Sequence, residues 1–242
     1  SVILTKYEAL EDGTKNPANV PLDNAGYQLY DSNNNLLGTY MTDKDGKIYV
    51  EDLTFGTYYF KETIAAKGYE KYPDNIYFTV DGNHTDAALE VETTDTRLTG
   101  QVWMQKVDDI GQYVKGAKYA LFRKSDDVQV DVTGQPSSIT FTTNAEGILE
   151  DNQYVQNGTL QGLYWGEYYL KEIESPTGYK LNDTKYYITV NRDNVNDIII
   201  IDNVVDNRQR GKVVLTKVAE DDETLKLKGA EFTLYRSDGS VY

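Results

Sequence analysis

Cysteine is absent from this 242-residue chain, which excludes a disulfide framework and any thiolate metal site. There is one histidine, His84, in a polar turn, so a multi-histidine zinc cage has no ligands and a histidine-based triad has no second histidine to draw on. No apolar run approaches the ~18 residues that a membrane-spanning helix needs. Basic residues are scarce, 24 against 39 acidic, and a net charge of -15 is the wrong sign for a nucleic-acid groove. Proline is rare, at five residues. No hydrolase motif is present. Hydrophobic residues at 39% together with 19 glycines give an ordinary globular apolar share, which excludes a disordered tail. At about 150 residues per domain the length predicts one or two domains.

The chain is rich in tyrosine, with 21, and in threonine, valine and isoleucine, which is strand composition. Short runs such as "NIYFTV" (75–80), "KYALF" (118–122), "KYYITV" (185–190) and "EFTLY" (231–235) alternate with period two. Clusters such as "DSNNN" (31–35), "DKDG" (43–46) and "NAEG" (144–147) punctuate them as turns. No stretch carries a 3.6-residue stripe. The fold class is all-β, with the tyrosines in the core and in cross-strand pairs.

The chain also repeats itself. "VILTK" (2–6), "QVWMQK" (101–106) and "KVVLTK" (212–217) are three copies of a strand that closes on lysine. Each is followed by a second block: "NAGYQLY" (24–30), "GAKYALF" (116–122) and "GAEFTLY" (229–235). A third block occurs twice, "FGTYYFKETIAAKGYEKY" (55–72) and "WGEYYLKEIESPTGYKLN" (165–182), aligned without a gap. The two full copies close with "TTDTRLTG" (93–100) and "VVDNRQRG" (204–211). Domains are therefore expected at 1–98 and 99–209, with the opening strands of a third at 210–242. Copy two is nine residues longer between Gly147 and Gly166 than copy one between Gly46 and Gly56, which predicts a surface-loop insertion. The third copy lacks the blocks that would close a sandwich, so its apolar positions Val214, Phe232 and Leu234 are expected to be ordered by further chain or by a second chain. No secretion or anchoring signal is visible, as expected of an interior piece of a processed surface protein.

At these blocks the sequence resembles the CnaB-type (SpaA-type) domains that build pilin and adhesin stalks on Gram-positive bacteria. The resemblance rests on the lysine-ended first strand, the "GA-x-F/Y-x-L-F/Y" strand and the "Y-x-L-K-E-x-x-x-P-x-G-Y" block from Tyr168 to Tyr179, and it covers essentially the whole chain. Copy one departs from it at Ala66, where copy two has Pro176; that alters a turn and no reactive group. The resemblance implies tandem immunoglobulin-like or prealbumin-like β-sandwiches. It also implies a spontaneous isopeptide bond inside each, between a first-strand Lys and a last-strand Asn or Asp, assisted by a Glu.

The chemistry is sound for these residue types. Burial in an apolar pocket favours the neutral forms of an amine and a carboxylic acid. A protonated Glu then hydrogen-bonds the Asx carbonyl, polarises it and shuttles protons while the amine attacks. No cofactor, metal or histidine is needed. Carried over residue by residue, the nucleophiles are Lys6 and Lys106 and the assisting acids Glu62 and Glu172. Counting back five residues from the glycine that opens the next copy gives Asp95 and Asp206, which lie 33 and 34 residues after their glutamates. Asn207 and Asn203 remain alternatives to Asp206. Copy one has no Asn nearby, so it uses Asp95 or lacks the bond. Lys217 fits the nucleophile position of the third copy.

Each of these residues has an ordinary reading as well. A lysine closing an edge strand is commonly a solvated charge, and the acids are commonly surface ion-pair or turn residues. The "DKDG" turn with Glu51 matches a calcium loop only in part, since Met41 stands at its first ligand position and copy two has "TNAEG". The expected role is structural: extracellular stalk modules on the cell wall of a Gram-positive bacterium, with neighbouring domains or subunits of the same fibre as partners. Nucleic acid is not expected as a partner, and no enzyme activity is expected beyond self-modification. A host ligand would sit at a tip not in this chain. The alternative is an adhesin module that binds a host protein or glycan through the insertion at 148–165, with Tyr154, Tyr164 and Trp165.

Overall fold

The computed structural model describes residues 1–242 except Glu11, Thr85, Asp86 and Asn196 and the side chain of His84. Seven strands make the first half: β1 (Val2–Ala9), β2 (Gly26–Asp31), β3 (Leu36–Met41), β4 (Lys47–Val50), β5 (Gly56–Ile64), β6 (Asn75–Val80) and β7 (Leu89–Thr96). Nine make the second: β8 (Thr99–Asp108), β9 (Lys118–Arg123), β10 (Val128–Val130), β11 (Phe141–Thr142), β12 (Val155–Gln156), β13 (Thr159–Tyr164), β14 (Gly166–Glu174), β15 (Lys185–Val190) and β16 (Ile198–Asp206). There is no α-helix among the described residues, and no helix is long and apolar enough to cross a membrane.

Each half is two sheets packed face to face. In the first, β4-β1-β7 faces β3-β2-β5-β6; in the second, β12-β13-β8-β16 faces β10-β9-β14-β15, with β11 also pairing β9. The inward positions follow the period-two pattern that the sequence carries. Val2 and Leu4 meet Tyr27, Leu29, Tyr58 and Phe60 in one core, and Val102 and Met104 meet Tyr119, Leu121, Tyr168 and Leu170 in the other. Outside, aromatic side chains pair across strands: Tyr30 stacks on Tyr59 with centroids 5.0 Å apart, and Phe122 on Tyr169 at 5.1 Å. First and last strands lie side by side and parallel. Lys6 is opposite Thr93 in the β1–β7 pair, and Lys106 opposite Val204 in the β8–β16 pair.

Three local expectations are revised. The lysines do not end their strands: β1 runs on to Ala9 and β8 to Asp108, because Glu8 and Asp108 continue the inward alternation. The insertion in copy two is no surface loop. It forms the β12–β13 hairpin, whose Val155, Leu160 and Leu163 are buried, with Asn157 and Gly158 both at positive φ in the turn. Residues 209–242 form a separate unit without a strand. Among the described residues they pair through the isolated bridges Val218↔Lys226 and Tyr235↔Val241, and Val214, Phe232 and Leu234 are exposed. In both complete copies the equivalent strands are paired on both sides, and a strand without a partner does not persist.

Candidate cross-linking sites

Each sandwich encloses a lysine and two carboxyls. In the first, β1 turns Lys6 inward from one sheet, β7 turns Asp95 inward beside it, and β5 brings Glu62 from the facing sheet; the Lys6 and Glu62 side chains and that of Asp95 are all fully buried. The Lys6 Nζ donates to Glu62 Oε2 at 3.0 Å and to Asp95 Oδ1. In the second, Lys106 of β8 donates to Asp206 Oδ1 of β16 at 2.6 Å and to the Tyr119 hydroxyl at 2.7 Å, while Glu172 Oε1 of β14 stands 3.5 Å from its Nζ. All three charged side chains are again fully buried.

Local backbone geometry sets these positions. The turns at 43–47 and 144–148 are closed by Asp43 and Asn144, whose side-chain oxygens accept from backbone N–H groups two and four residues on. Their glycines, Gly46 and Gly147, both at φ +72°, lie against the lysine backbone, so that Lys6 and Lys106 each donate an N–H to the glycine carbonyl at 2.8 Å. A Cβ on Gly46 would stand 2.5 Å from the Lys6 carbonyl oxygen, and one on Gly147 2.3 Å from that of Lys106; only glycine fits there. The acidic turn recognised in the sequence thus serves as a strand clamp, and no cluster of potential metal ligands occurs among the described residues. The glutamates are held from outside the core: Glu62 Oε2 accepts the Tyr72 N–H at 2.7 Å and Glu172 Oε2 the Asn182 N–H at 2.8 Å.

The electrostatics are unusual for structural ion pairs. Burial pushes the Glu62 carboxyl up, Lys6 pulls it back and Asp95 pushes it further, to about 7. Burial likewise raises Asp95 against the pull of Lys6. Glu172 is raised by burial, opposed by the Asn182 N–H and Lys106 and reinforced by Asp206. In each site one oxygen of either acid has no hydrogen-bond partner: Glu62 Oε1 and Asp95 Oδ2, then Glu172 Oε1 and Asp206 Oδ2. One proton on the glutamate gives such an oxygen a donor where both acids would otherwise be acceptors only. Taking three charges out of water costs several kcal/mol per ion, so a buried triad of this kind is a poor source of stability as it stands.

The other residues singled out in the sequence lie elsewhere. Asn203 and Asn207 are exposed, while Asp206 is fully buried. Lys217 is exposed in the separate 209–242 unit. Of the aromatic residues suggested as a ligand surface, Tyr154 packs against the second core, Tyr164 faces the Arg97 guanidinium at 4.2 Å, and Trp165 lies against Gly68. Tyr27 and Tyr119, which read in the sequence only as core aromatics, set their rings beside the lysine amines at 5.6 and 5.2 Å. They occupy one position of the second repeated block, where copy three has Phe232, so the ring recurs in all three copies and the hydroxyl does not.

Fold and inward-facing triads together define tandem prealbumin-like β-sandwich domains of one repeating type. The sequence matches the family model described as SpaA, prealbumin-like fold domain, over residues 13–96 and 100–204, and the chain belongs to that family. No curated protein matches it in sequence. Among solved structures it is similar to the Bacillus anthracis TIE protein, with 20% identity and a TM-score of 0.62 over 86% of this chain and 34% of that one. It is also similar to the C-terminal fragment of the pilus adhesin SpaC from Lactobacillus rhamnosus GG, with 15% identity and a TM-score of 0.54 over 88% of this chain and 99% of that one. The shaft pilin spaA from the same organism is 17% identical, with a TM-score of 0.37 over 88% of this chain and 98% of that one. The chain thus spans about a third of the length of the TIE protein.

Proposed function

We propose that this chain is a run of stalk modules from a Gram-positive surface fibre or adhesin, at 1–98, 99–209 and 210–242, and that the first two each close an autocatalytic isopeptide bond, Lys6 to Asp95 and Lys106 to Asp206. The observation that carries this reading is the recurrence, in two separate cores, of a fully buried amine touching an aspartate with a glutamate alongside. In the reaction the lysine Nζ, as free amine, attacks the aspartate Cγ, with the protonated glutamate hydrogen-bonded to the carbonyl oxygen. The new N–C bond replaces a C–O bond, and the amine proton and the departing hydroxyl leave as water. Clefts at Tyr72, Thr94 and Asp95, and at Asn182, Asn203 and Val205, open beside the sites. The product is a neutral amide, so the desolvation cost of a buried ion pair disappears with its charges.

The mechanical consequence follows from strand order. Tension enters a module at its first strand and leaves at its last, and these are parallel neighbours. A Lys6–Asp95 bond diverts the load past everything between those two residues. With Tyr164 and Trp165 engaged between the sandwiches, a structural role is better supported than ligand capture.

The choice of partner in the second module tests the assignment. Asp206→Ala is expected to abolish the second cross-link and leave the chain heavier by one water on intact-mass measurement, whereas Asn203→Ala and Asn207→Ala keep the wild-type mass deficit. Asp206→Asn, which would lose ammonia instead of water, should converge on the same product mass as the wild type. Loss of the deficit in either asparagine variant would move the bond to that residue.

The reaction in the first module should also depend on pH. Glu62 holds its proton to about pH 7 and loses it as pH rises through that value. Cross-linking of a freshly synthesised chain, followed by time-resolved mass, is therefore expected to slow above pH 7 relative to just below it in the first module. A rate indifferent to this interval would remove the protonated glutamate from the mechanism.

A further inference from the structure

The connection between the sandwiches is two residues long, Arg97 and Leu98, between the end of β7 and the start of β8. Both are tied down. The Leu98 N–H donates to the Gly68 carbonyl at 2.8 Å, and Arg97 bridges to Tyr69 along the backbone. The Arg97 guanidinium lies between two rings, 4.6 Å from Tyr69 of the first sandwich and 4.2 Å from Tyr164 of the second. It also bonds Glu8, which in turn accepts the Tyr69 hydroxyl at 2.7 Å. Arg192 of the loop after β15 donates to the Tyr69 carbonyl at 2.9 Å. Finally Gly68, at φ +85°, rests on Trp165: a Cβ there would stand 3.2 Å from the Trp165 Cβ.

We propose that these contacts make a built joint that holds the two sandwiches as one rigid body, and that the insertion in copy two exists to supply its second half. In copy one β4 ends at Val50, and the nine extra residues of copy two have no counterpart. In copy two the hairpin carries β13 down to Tyr164, opposite Thr99 at the first residue of β8, and so delivers Tyr164 and Trp165 to the junction. The cation lies 4.6 Å from a ring of one sandwich and 4.2 Å from a ring of the other, so bending at the link has to pull it from one of them. In the stalk reading the segment from Asp95 to Lys106 is the stretch of chain under load between the two bonds, and the joint braces it. Rigidity itself does not require those bonds, so the two claims fail separately: one by mass, the other by tumbling.

Amide-nitrogen NMR relaxation on the full chain reads the joint directly. Both sandwiches of the wild type are expected to report a single rotational diffusion tensor. In Arg97→Ala/Trp165→Ala each sandwich should tumble separately, with a correlation time falling toward that of a body half the size, while the mass deficit relative to the variant's own sequence stays that of the wild type. Two independent tensors in the wild type overturn the proposal without any variant, as does unchanged tumbling in a folded double variant. Arg192→Ala, which removes one hydrogen bond and no stacked ring, should loosen the joint less than the double variant.

Discussion

The intact folded chain is expected to weigh less than its sequence by two molecules of water, one from each sandwich. Lys6→Ala and Lys106→Ala should each restore one, and the double variant both. The expectation rests on two fully buried amines, each in contact with an aspartate that neighbours it across parallel strands. It also separates the covalent reading from an ordinary ion pair, which leaves the mass untouched. The lysine variants should be strongly destabilised as well. Besides losing the bond they leave two acids facing each other in an apolar pocket, and removing one partner of a buried pair costs about 3–5 kcal/mol. A folded wild-type chain at its full sequence mass would eliminate the cross-links outright.

Glu62→Ala and Glu172→Ala should give folded sandwiches in which the lysine and aspartate stay unjoined. In the proposed reaction the glutamate brings a proton to the carbonyl, and burial raises its pKa in both sites. The bonds would join residues 89 and 100 positions apart. By analogy with disulfides, closing a loop of ~100 residues stabilises by about 4.7 kcal/mol in the chain-entropy treatment. For a domain of this size that corresponds to a melting temperature lower by on the order of 20–40 °C in the variant module. Calorimetry on each single variant should show one transition moved and the other in place. A variant that still cross-links at the wild-type rate would deprive the glutamate of its role.

Much of this protein is legible in one dimension. The alternation of apolar residues determines which side chains face inward on β1, β5, β8 and β14, and Lys6, Glu62, Lys106 and Glu172 simply continue that alternation at the ends of the apolar runs. Self-comparison reveals the repeat, because each copy has the same packing problem to solve with the same blocks. Both links, pattern to strand and strand to inward face, are local and survive without knowledge of the fold.

Three things were decided by tertiary structure. The first is which acidic or amide side chain near the end of copy two meets Lys106. Counting back from the next copy's glycine points to Asp206 but leaves Asn203 and Asn207 open, because the register of β16 against β8 shifts between Ile201 and Val204, with Asn203 at φ +59°. An irregularity of this kind resets which residues point inward, and only the paired strand reveals it. The second is the fate of the insertion, whose polar turn residues read as a loop while its buried leucines and valine made a hairpin that reaches the neighbouring sandwich. The third is the 209–242 segment. Its residues repeat those of β1 and β2, yet they form no strand, since a ladder's hydrogen bonds belong to two strands and the sequence of one specifies only half of them.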